Sequence, residues 1–472
     1  MNPEMKKKIE AYFAAHEADM IRDLCELVEI PSARTDAQKD MPYGPGAYEA
    51  LQCGMKLMEQ KGLLNVRSWD NRLITGDLTE LPSGLDILAH LDVVPALNNW
   101  TVCEPYKPTM VGRDLYGRGT SDDKGPAIAA LYAMDCARSL GIPFKKNVRL
   151  ILGSDEECGS SDVEWYYSRV PEAPMTFTPD CDFPLINLEK GHLHGEIDGK
   201  FARDTRTPYI ESADAGIKFN VIPETAEAVV VGISCEALAP YFEKAAAATG
   251  ASFSAEVQAD SKVKILCKGK SGHAAFPEDA NNAQTALLTL LASLPCADSE
   301  GFRSICALHR LFPHGDFYGA AIGIAMEDEI SGKLTCSPDL LHIDETSLYL
   351  LFDSRCSVCA NEENTVEAAK KTVSEAGLSM RDTALVAPHY VSADSDFVRT
   401  LLRVYTDWTG KPGEALSTGG GTYVHSLKNG VAFGAGLPEI DCRIHGADEF
   451  IPIDLLLLSG KIFAQAIIEL CC

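Results

Sequence analysis

The sequence predicts an α/β protein in which a domain with a mainly parallel sheet is interrupted by an inserted α+β domain. Short apolar runs that suit buried strands, at 85–89 and 148–152, alternate with helical patterns in the first part of the chain. From residue 189 to 385 the pattern changes to alternating strands with intervening helices, and the first pattern returns afterwards. We therefore expect residues 1–188 and 386–472 to form one domain and the residues between them to form the insertion.

The elements of the first part have clear local signals. Apolar residues at helical spacing predict a first helix that stops before Pro31, because the residue before a proline disfavours the helical conformation. A second helix at 47–61 is followed by Gly62, which suits the left-handed position after a helix. Pro126 suits the first turn of a third helix, at 127–140. The alternation of these helices with apolar strands favours a parallel sheet.

Histidine and acidic side chains follow the predicted strands at the points where the strands end. His90 follows one strand, with Asp92 two residues later; Glu156 and Glu157 follow another, and Asp180 ends a third. In open α/β sheets, ligands bind beyond the carboxyl ends of the strands. A single histidine in such a place is more often part of the core, but the accumulation of acids around it predicts a functional site.

Charge and composition exclude several function classes. The chain has 42 basic and 68 acidic residues and a net charge of -26, which argues against binding to nucleic acid or anionic membranes, since phosphate contacts need clustered lysine and arginine. We expect no signal peptide and no transmembrane segment, because no apolar run is long enough to cross a bilayer. The 16 cysteines, without a secretion signal, indicate reduced thiols and a cytoplasmic protein.

The side chains at the strand ends suit a pair of divalent cations. Zn, Mn and Co accept imidazole and carboxylate ligands, and two such cations about 3.5–4 Å apart, sharing a bridging carboxylate, form a hydrolytic pair. Three ligand carboxylates and one further glutamate carry four negative charges, which two divalent cations balance. The alternative is a surface acidic patch, but these acids follow apolar strands and not charge runs. The candidate set is His90, Asp122, Glu157, Asp180 and His445, with Glu156 and Asp92 beside it.

The adjacent residues Glu156 and Glu157 have a chemical logic. Consecutive residues just past a strand point in different directions, so one can ligate a cation while the other acts as general base toward the attacking water. Asp92 can orient His90 and thereby fix the tautomer of its ring.

Motifs along nearly the whole chain resemble those of a known enzyme family, and they occur in the family's order. They are Ala-His-Leu-Asp-Val-Val-Pro at 89–95, Gly-Arg-Gly-Thr-Ser-Asp-Asp-Lys-Gly at 117–125, Asp-Glu-Glu-Cys-Gly at 155–159, Thr-Pro-Asp at 178–180, Ser-Gly-His-Ala-Ala-Phe-Pro-Glu at 271–278, Gly-Gly-Gly-Thr-Tyr at 419–423 and Ile-His-Gly-Ala-Asp-Glu at 444–449. Together they resemble the two-metal metallopeptidases that include carnosinase, aminoacylase and carboxypeptidase G. More narrowly, they resemble the PepV-type dipeptidases, also known as Sapep.

The resemblance implies a role for each residue of the candidate set. Asp122 would bridge two metal ions, and Glu156 would be the general base, with Asp92 supporting the ligand His90. Family members often have a cis peptide after the bridging aspartate, here between Asp122 and Asp123. The implied ligands of one ion besides Asp122 are His445 and Glu157, and those of the other ion are His90 and Asp180.

The resemblance also implies that the inserted domain is a lid that closes over the substrate. His273 would stabilise the oxyanion, Asn220 would lie near the substrate, and Arg355 would bind the substrate carboxylate. The glycine-rich loop of the larger domain would add the substrate-binding residues Gly420, Gly421 and Thr422.

We therefore expect a cytoplasmic dipeptidase that acts on dipeptides with two divalent cations, Zn or Mn, with Co a further choice. A deacylase acting on acyl-amino acids or on succinyl-diaminopimelate would share every metal ligand, whereas a catalytically silent ligand-binding relative would usually have lost one. One position departs from the family: after the glycine-rich loop it commonly carries alanine and then a basic residue, where this chain has Val424 and His425. This leaves the side-chain preference open, and the oligomeric state is open too, with a monomer compatible with the sequence.

Overall fold

The computed structural model describes residues 2–258 and 261–472. They form two compact units: the first joins the residues up to Glu189 with His389–Cys472, and the second is Lys190–Pro388. The helices of the described residues are, in chain order, α1 (Pro3–Val28), α2 (Pro45–Gln60), α3 (Lys124–Ser139), α4 (Ser161–Tyr167), α5 (Cys235–Thr249), α6 (Ala283–Ser293), α7 (Glu300–Leu311), α8 (Ala368–Glu375), α9 (Asp396–Thr409) and α10 (Ile453–Cys471).

The described strands of both units are short, with lengths from two to ten residues. In the first unit and up to the start of the second they are β1 (Leu64–Trp69), β2 (Leu73–Asp77), β3 (Ser83–His90), β4 (Thr109–Val111), β5 (Asp114–Tyr116), β6 (Asn147–Gly153), β7 (Met175–Thr178), β8 (Cys181–Asp182) and β9 (Ile186–Glu189). Those that follow in the second unit are β10 (Gly191–Lys200), β11 (Tyr209–Ala215), β12 (Val221–Ile222), β13 (Thr225–Val231), β14 (Ser252–Val257), β15 (Lys262–Lys268), β16 (Gly272–His273), β17 (Glu327–Asp328), β18 (Gly332–Lys333), β19 (Thr335–Ile343), β20 (Ser347–Cys356) and β21 (Ser379–Met380). The chain returns to the first unit with β22 (His389–Tyr390), β23 (Leu416–Thr418), β24 (Gly430–Ala432), β25 (Ala435–Gly436) and β26 (Phe450–Pro452).

The main sheet of the first unit has a parallel centre. Its described strands lie in the order β1-β2-β6-β3-β7-β24-β9-β22, and β23 also pairs with β9. The neighbours β6, β3, β7 and β24 are parallel, whereas the pairs toward the two ends of the sheet are antiparallel, apart from that of β23. The strands β1 and β2 must be antiparallel because only a tight turn joins them. The predicted α/β class is confirmed.

The central strand β3 is covered on both faces, which explains its unbroken apolar sequence. Ile87 and Ala89 lie in the core that includes α1, α3 and α10, whereas Leu88 lies in a smaller core with Tyr423. Since alternate residues of a strand point to opposite faces, His90 continues the Leu88 face. The ring of His90 lies edge-on to that of Tyr423, with 6.1 Å between the ring centroids.

Helix α3 connects the core to the loop that precedes it. Its many alanines are buried, and such small side chains let α1 and α10 pack closely against it. The first residue of the helix, Lys124, is buried as well, and its Nζ donates to the carbonyl oxygens of Leu27 and Ile30, 2.9 Å away in each case. The end of α1 therefore holds the start of α3, directly after Asp122 and Asp123.

The second unit contains an antiparallel sheet with helices on one face, which is the α+β pattern expected for the insertion. Its described strands lie in the order β14-β15-β13-β11-β19-β20-β10-β21. Leu193 and Ile197 of β10 lie in the core that includes α5 to α8. The alternate residues His192 and His194 lie on the opposite face of the same strand. Within the described parts of both units, no helix is both long and apolar enough to span a membrane.

Candidate metal and catalytic site

Three parallel strands end at the same edge of the main sheet and bring the candidate side chains there. His90 is the last residue of β3 and pairs with Gly153, the last residue of β6. The short 3₁₀ turn Glu156–Cys158 follows β6, and Asp180 follows β7 by two residues. Neighbouring parallel strands place their carboxyl ends side by side, so this convergence follows directly from the sheet order.

Asp122 stands between two groups of ligand-type side chains. Its Oδ1 lies 3.0 Å from Nε2 of His90, and its Oδ2 lies 3.0 Å from Nε2 of His445. On the first side, Asp180 Oδ2 is 3.7 Å from the same His90 nitrogen; on the second, Glu157 Oε2 is 3.3 Å from the same His445 nitrogen. In each group of three, the ligand atoms all lie within 4.8 Å of one another. The geometry can therefore hold two cations that share one carboxylate.

Two buried atoms in these groups test whether cations fit. His90 Nε2 and Glu157 Oε1 are buried and make no hydrogen bond to the described residues, although other ligand atoms of the groups lie close by. A buried polar atom without a partner is costly, and a cation would satisfy both of these. The peptide bond between Asp122 and Asp123 is cis, as the family resemblance leads one to expect.

The carboxylates of the cluster repel one another. Burial and the nearby Asp122 raise the pKa of Asp180 to about 7, and burial together with Asp180 holds the pKa of Glu156 well above its ordinary value. Burial alone would raise the pKa of Asp122 too, but the facing imidazoles of His445 and His90 lower it below its ordinary value. Positive charge is thus needed among these groups, and divalent cations would supply it.

Asp92 holds both the histidine ligand and the glutamate turn. Its carbonyl oxygen lies 3.0 Å from Nδ1 of His90, and its carboxylate oxygens accept the backbone N–H groups of Glu156 and Glu157 at 3.2 and 3.1 Å. The sequence predicted only that Asp92 orients His90. The carbonyl makes the shorter contact with the ring, and Oδ1 of the carboxylate lies 3.4 Å from the same Nδ1 of His90.

The glycine-rich loop lies in the same pocket of the first unit. Thr422 donates its N–H and its hydroxyl to the buried carboxylate of Glu189, with the hydroxyl 2.7 Å from Oε1. His425 Nδ1 lies 2.9 Å from Oε2 of the same carboxylate. The residue that departs from the family pattern therefore helps to anchor the loop. The pocket is lined by Asp122, Glu156, Glu157, Asp180, Gly420, Gly421, Thr422 and His445, among others.

His273 and Asn220 lie beside each other in the second unit, on the paired strands β12 and β16 and the turn before them. Val221 pairs with His273, and Asn220 has a left-handed backbone with φ of 61°. The exposed ring of His273 accepts the N–H of Ala275 at Nδ1, 3.0 Å away, which leaves the proton of the neutral ring on Nε2. Burial of part of the ring and nearby Arg355 lower the pKa of His273, so the ring is neutral at pH 7.

Arg355 lies on β20 and is already engaged by neighbours. Its Nη2 donates to Asp353 Oδ2 at 2.7 Å, and its Nη1 lies 2.5 Å from Nδ1 of His192. The side chain is buried, and Asp353 is fully buried. A guanidinium held in this way has a defined orientation, with part of its charge balanced by the carboxylate.

Several residues that support the candidate site could not be found from the sequence. Asp123 accepts the N–H of His90 at its carboxylate, 3.2 Å away, and Tyr423 donates to the buried Asp162, 2.7 Å away. Glu189 anchors the glycine-rich loop, as described above. The Asp-Asp pair was visible in the sequence as a signal, but the other residues lie in ordinary strand and helix contexts that do not reveal their partners.

The comparison with known proteins agrees with this geometry. Residues 87–469 match the model of peptidase family M20/M25/M40. The chain belongs to this family. The protein YtjP of Bacillus subtilis (strain 168) is 34% identical over 460 residues, covering 96% of this chain and 97% of YtjP. The Beta-Ala-Xaa dipeptidase of Lactobacillus delbrueckii subsp. lactis is 32% identical over 458 residues, covering 96% of each chain. The crystal structure of human carnosine dipeptidase 1 has a related fold, with a TM-score of 0.58 and 15% identity over 99% of both chains.

Membership of family M20/M25/M40 makes the chain a metallopeptidase and therefore a hydrolase. It confirms the resemblance that the motifs indicated. Among the described residues, the two groups of ligand-type side chains around Asp122 are the candidate groups for holding divalent cations.

We predict that removing divalent cations by chelation lowers the melting temperature and abolishes peptide hydrolysis, and that Zn or Mn restores both. The carboxylates left unpaired would destabilise the fold, and a cation at 100 times its Kd stabilises by about 2.7 kcal/mol for each site. Thermal denaturation with parallel metal analysis measures this.

A matched pair of variants separates the cluster from acidic residues in general. Asp180→Asn should lower the metal content, whereas Asp86→Asn, which removes a buried carboxylate within β3 that accepts from Tyr167, should not. Full hydrolysis by protein shown to be free of metal would refute the two-cation site.

Proposed function

We propose that this metallopeptidase is a dipeptidase that hydrolyses the single peptide bond of dipeptides. The observation that carries the proposal is the position of Asp122 between two ligand groups, with Glu156 lining the same pocket. Two divalent cations, Zn or Mn with Co as a further choice, would polarise the substrate carbonyl and lower the pKa of the attacking water. An assay of hydrolysis with each metal tests this proposal, and its substrates are a panel of dipeptides, longer peptides and N-acyl amino acids. A preference for N-acyl amino acids would indicate a deacylase.

We propose that Glu156 takes the proton from the attacking water and passes it to the leaving amine. A positioned carboxylate can act as a general base, and the position of Glu156 in the pocket that Asp122 and Asp180 also line supports this role. We propose that Glu157 is instead a cation ligand, because its Oε2 lies 3.3 Å from Nε2 of His445. Asp92 fixes the backbone of both glutamates, since one of its carboxylate oxygens accepts the N–H of Glu156 and the other accepts that of Glu157.

The dipeptide preference is supported by one relative and by charge. The protein that is 32% identical over nearly the whole chain is named a Beta-Ala-Xaa dipeptidase. A dipeptide has a carboxylate at a fixed distance from its scissile bond, and a guanidinium binds a carboxylate with good geometry. We propose that Arg355, oriented by Asp353, binds that carboxylate, that Asn220 lies near the substrate, and that Gly420, Gly421 and Thr422 form the wall of the pocket.

We also propose that His273 donates a hydrogen bond to the oxyanion. The bond from Ala275 to Nδ1 supports this, because it leaves the proton on Nε2, and the lowered pKa keeps the ring neutral.

A cytoplasmic location is proposed on the ground that all 16 cysteines are free thiols.

We predict different effects for Glu156→Gln and Glu157→Gln. The first keeps the size of the side chain and removes its basicity, so metal content should stay at the wild-type level while kcat falls by a factor of about 100 to 10,000. The second should remove metal from one site. Metal analysis and steady-state kinetics measure both, with Glu164→Gln at an exposed position of α4 as the control. Wild-type turnover in Glu156→Gln would show that another group is the base.

We predict that His273→Ala lowers kcat by more than it raises KM, because an oxyanion donor acts mainly in the transition state. The loss of one such donor costs about 2.7–4 kcal/mol. His342→Ala removes an exposed histidine of the same unit that pairs with Asp214, and it should leave both constants unchanged. An effect of His273→Ala on KM alone would argue against the oxyanion role.

We predict that Arg355→Ala weakens the hydrolysis of dipeptides with a free carboxylate and has little effect on their C-terminal amides, which are poor substrates from the start. The quantity to measure is the ratio of kcat/KM for a dipeptide to that for its amide. Arg381→Ala is the matched control, because Arg381 is an exposed arginine of the same unit that pairs with Glu196 and Asp198. If the ratio is the same in wild type and Arg355→Ala, the substrate carboxylate binds elsewhere.

A further inference from the structure

A buried ion pair lies directly behind the ligands Asp122 and His445. Arg118 Nη1 donates to Glu449 Oε2 at 2.6 Å, and the two side chains are only 1% and 0% exposed. Neither residue lines the pocket, so neither would touch a substrate. Burying two charges carries a large desolvation cost, and an apolar pair of similar volume is often equally stable or more stable. Stability alone is therefore a weak reason for this pair.

Glu449 organises the segment that ends at Asp122. Besides Arg118, its carboxylate accepts three backbone N–H groups: that of Gly119 at Oε2, 3.0 Å away, and those of Ser121 and Asp122 at Oε1, 3.0 and 3.2 Å away. The backbone of the shared ligand is thus bonded directly to this carboxylate. A shift of Glu449 would shift Asp122.

Arg118 connects the same carboxylate to the segment of the other ligand. Its Nη2 donates to the carbonyl oxygen of Gly446 at 2.8 Å, next to His445. The antiparallel pairing of β5 with β26 brings these two distant segments together, with Tyr116 opposite Phe450. The bond from the N–H of Gly117 to the carbonyl of Glu449, 3.0 Å long, continues that ladder up to the ion pair.

The segment that carries His445 has a backbone that needs such support. Arg443, His445 and Asp448 have φ angles of 57°, 61° and 57°, in the left-handed region that side chains other than glycine disfavour. Asp448 is anchored by its carboxylate, which accepts from Thr101 and from the N–H of Val102. Between His445 and that anchor, the bond from Arg118 holds the segment at the carbonyl of Gly446.

We propose that Arg118 and Glu449 are positioning residues that hold Asp122 and His445 at the separation required by the second cation, the one bound by Asp122, Glu157 and His445. The pair acts through the backbone on both ligands and touches neither the cation nor the substrate. The proposal rests on the proposed two-cation function of the site. It assigns a role to a conspicuous buried pair that the reaction does not otherwise use.

The test is a metal-binding titration of the apo protein with Mn, in wild type and in Arg118→Met. Loss of a residue that orients metal ligands typically lowers metal affinity by a factor of about 10–100. We expect that decrease for one of the two ions, because the bond to Gly446 beside His445 is lost. We expect a change of less than about threefold for the other, which retains His90 and Asp180, since Glu449 still holds the backbone N–H of the shared Asp122. Titration of His445→Asn, which removes a ligand of the second cation, identifies the affected site.

Two further variants separate positioning from folding. Arg118→Lys keeps the charge beside Glu449 but cannot bridge to Gly446 with a second nitrogen, so it should fold and still bind the second ion about tenfold more weakly. The control is Asp77→Asn, which breaks the ion pair with Arg149 at the far end of β6. It should lower the melting temperature and leave both metal affinities at the wild-type level.

The outcomes distinguish the two proposals. If wild type binds two ions and both Arg118 variants bind them with unchanged affinity, the positioning role is wrong while the proposed function stands. If wild type binds fewer than two ions, the proposed function fails, and the role of the pair fails with it. If Asp77→Asn weakens the second ion as much as Arg118→Lys does, the effect is general loss of stability and the positioning role is refuted.

Discussion

The repulsion among carboxylates at the ends of β3, β6 and β7 is the constraint that the first unit is built around. Burial and mutual proximity raise the pKa of Asp180 and of Glu156, so a protein without positive charge at this edge would hold protons there. Two histidines compensate only part of the charge. A pair of divalent cations would balance it, and in this sense the need for metal follows from the order of the strands.

The surrounding layer meets the same constraint with backbone bonds. Asp92, Asp123 and Glu449 are buried carboxylates, and each accepts N–H groups from a segment that carries a ligand. These three carboxylates therefore hold the backbone. Among the candidate ligands, His90 Nε2 and Glu157 Oε1 are buried without a hydrogen-bond partner in the described residues.

The parts that the sequence could predict are those with a local signal. An apolar run followed by His90 or by Glu156 predicts both a strand and the chemistry at the end of that strand. Capping residues and prolines likewise predict where the helices begin and end. The partners of Glu189 and Arg118 carry no such signal, because Thr422 lies 233 positions from the first and Glu449 lies 331 positions from the second. Side-chain identity says that a carboxylate is present, but only the folded chain decides which N–H groups it meets. The antiparallel strands at the ends of the main sheet could not be predicted either, because apolar runs indicate strands but not their direction.

The adjacent positions of Glu156 and Glu157 have a consequence for how the site can change. One carboxylate, that of Asp92, holds the N–H groups of both residues, one on each oxygen, and the carbonyl of Asp92 also contacts the ring of His90. A movement of the glutamate turn therefore moves the proposed base, one ligand of the second cation and one ligand of the first together. A base placed on a separate element would need its own support, whereas here the proposed base and a candidate ligand lie on one turn of three residues.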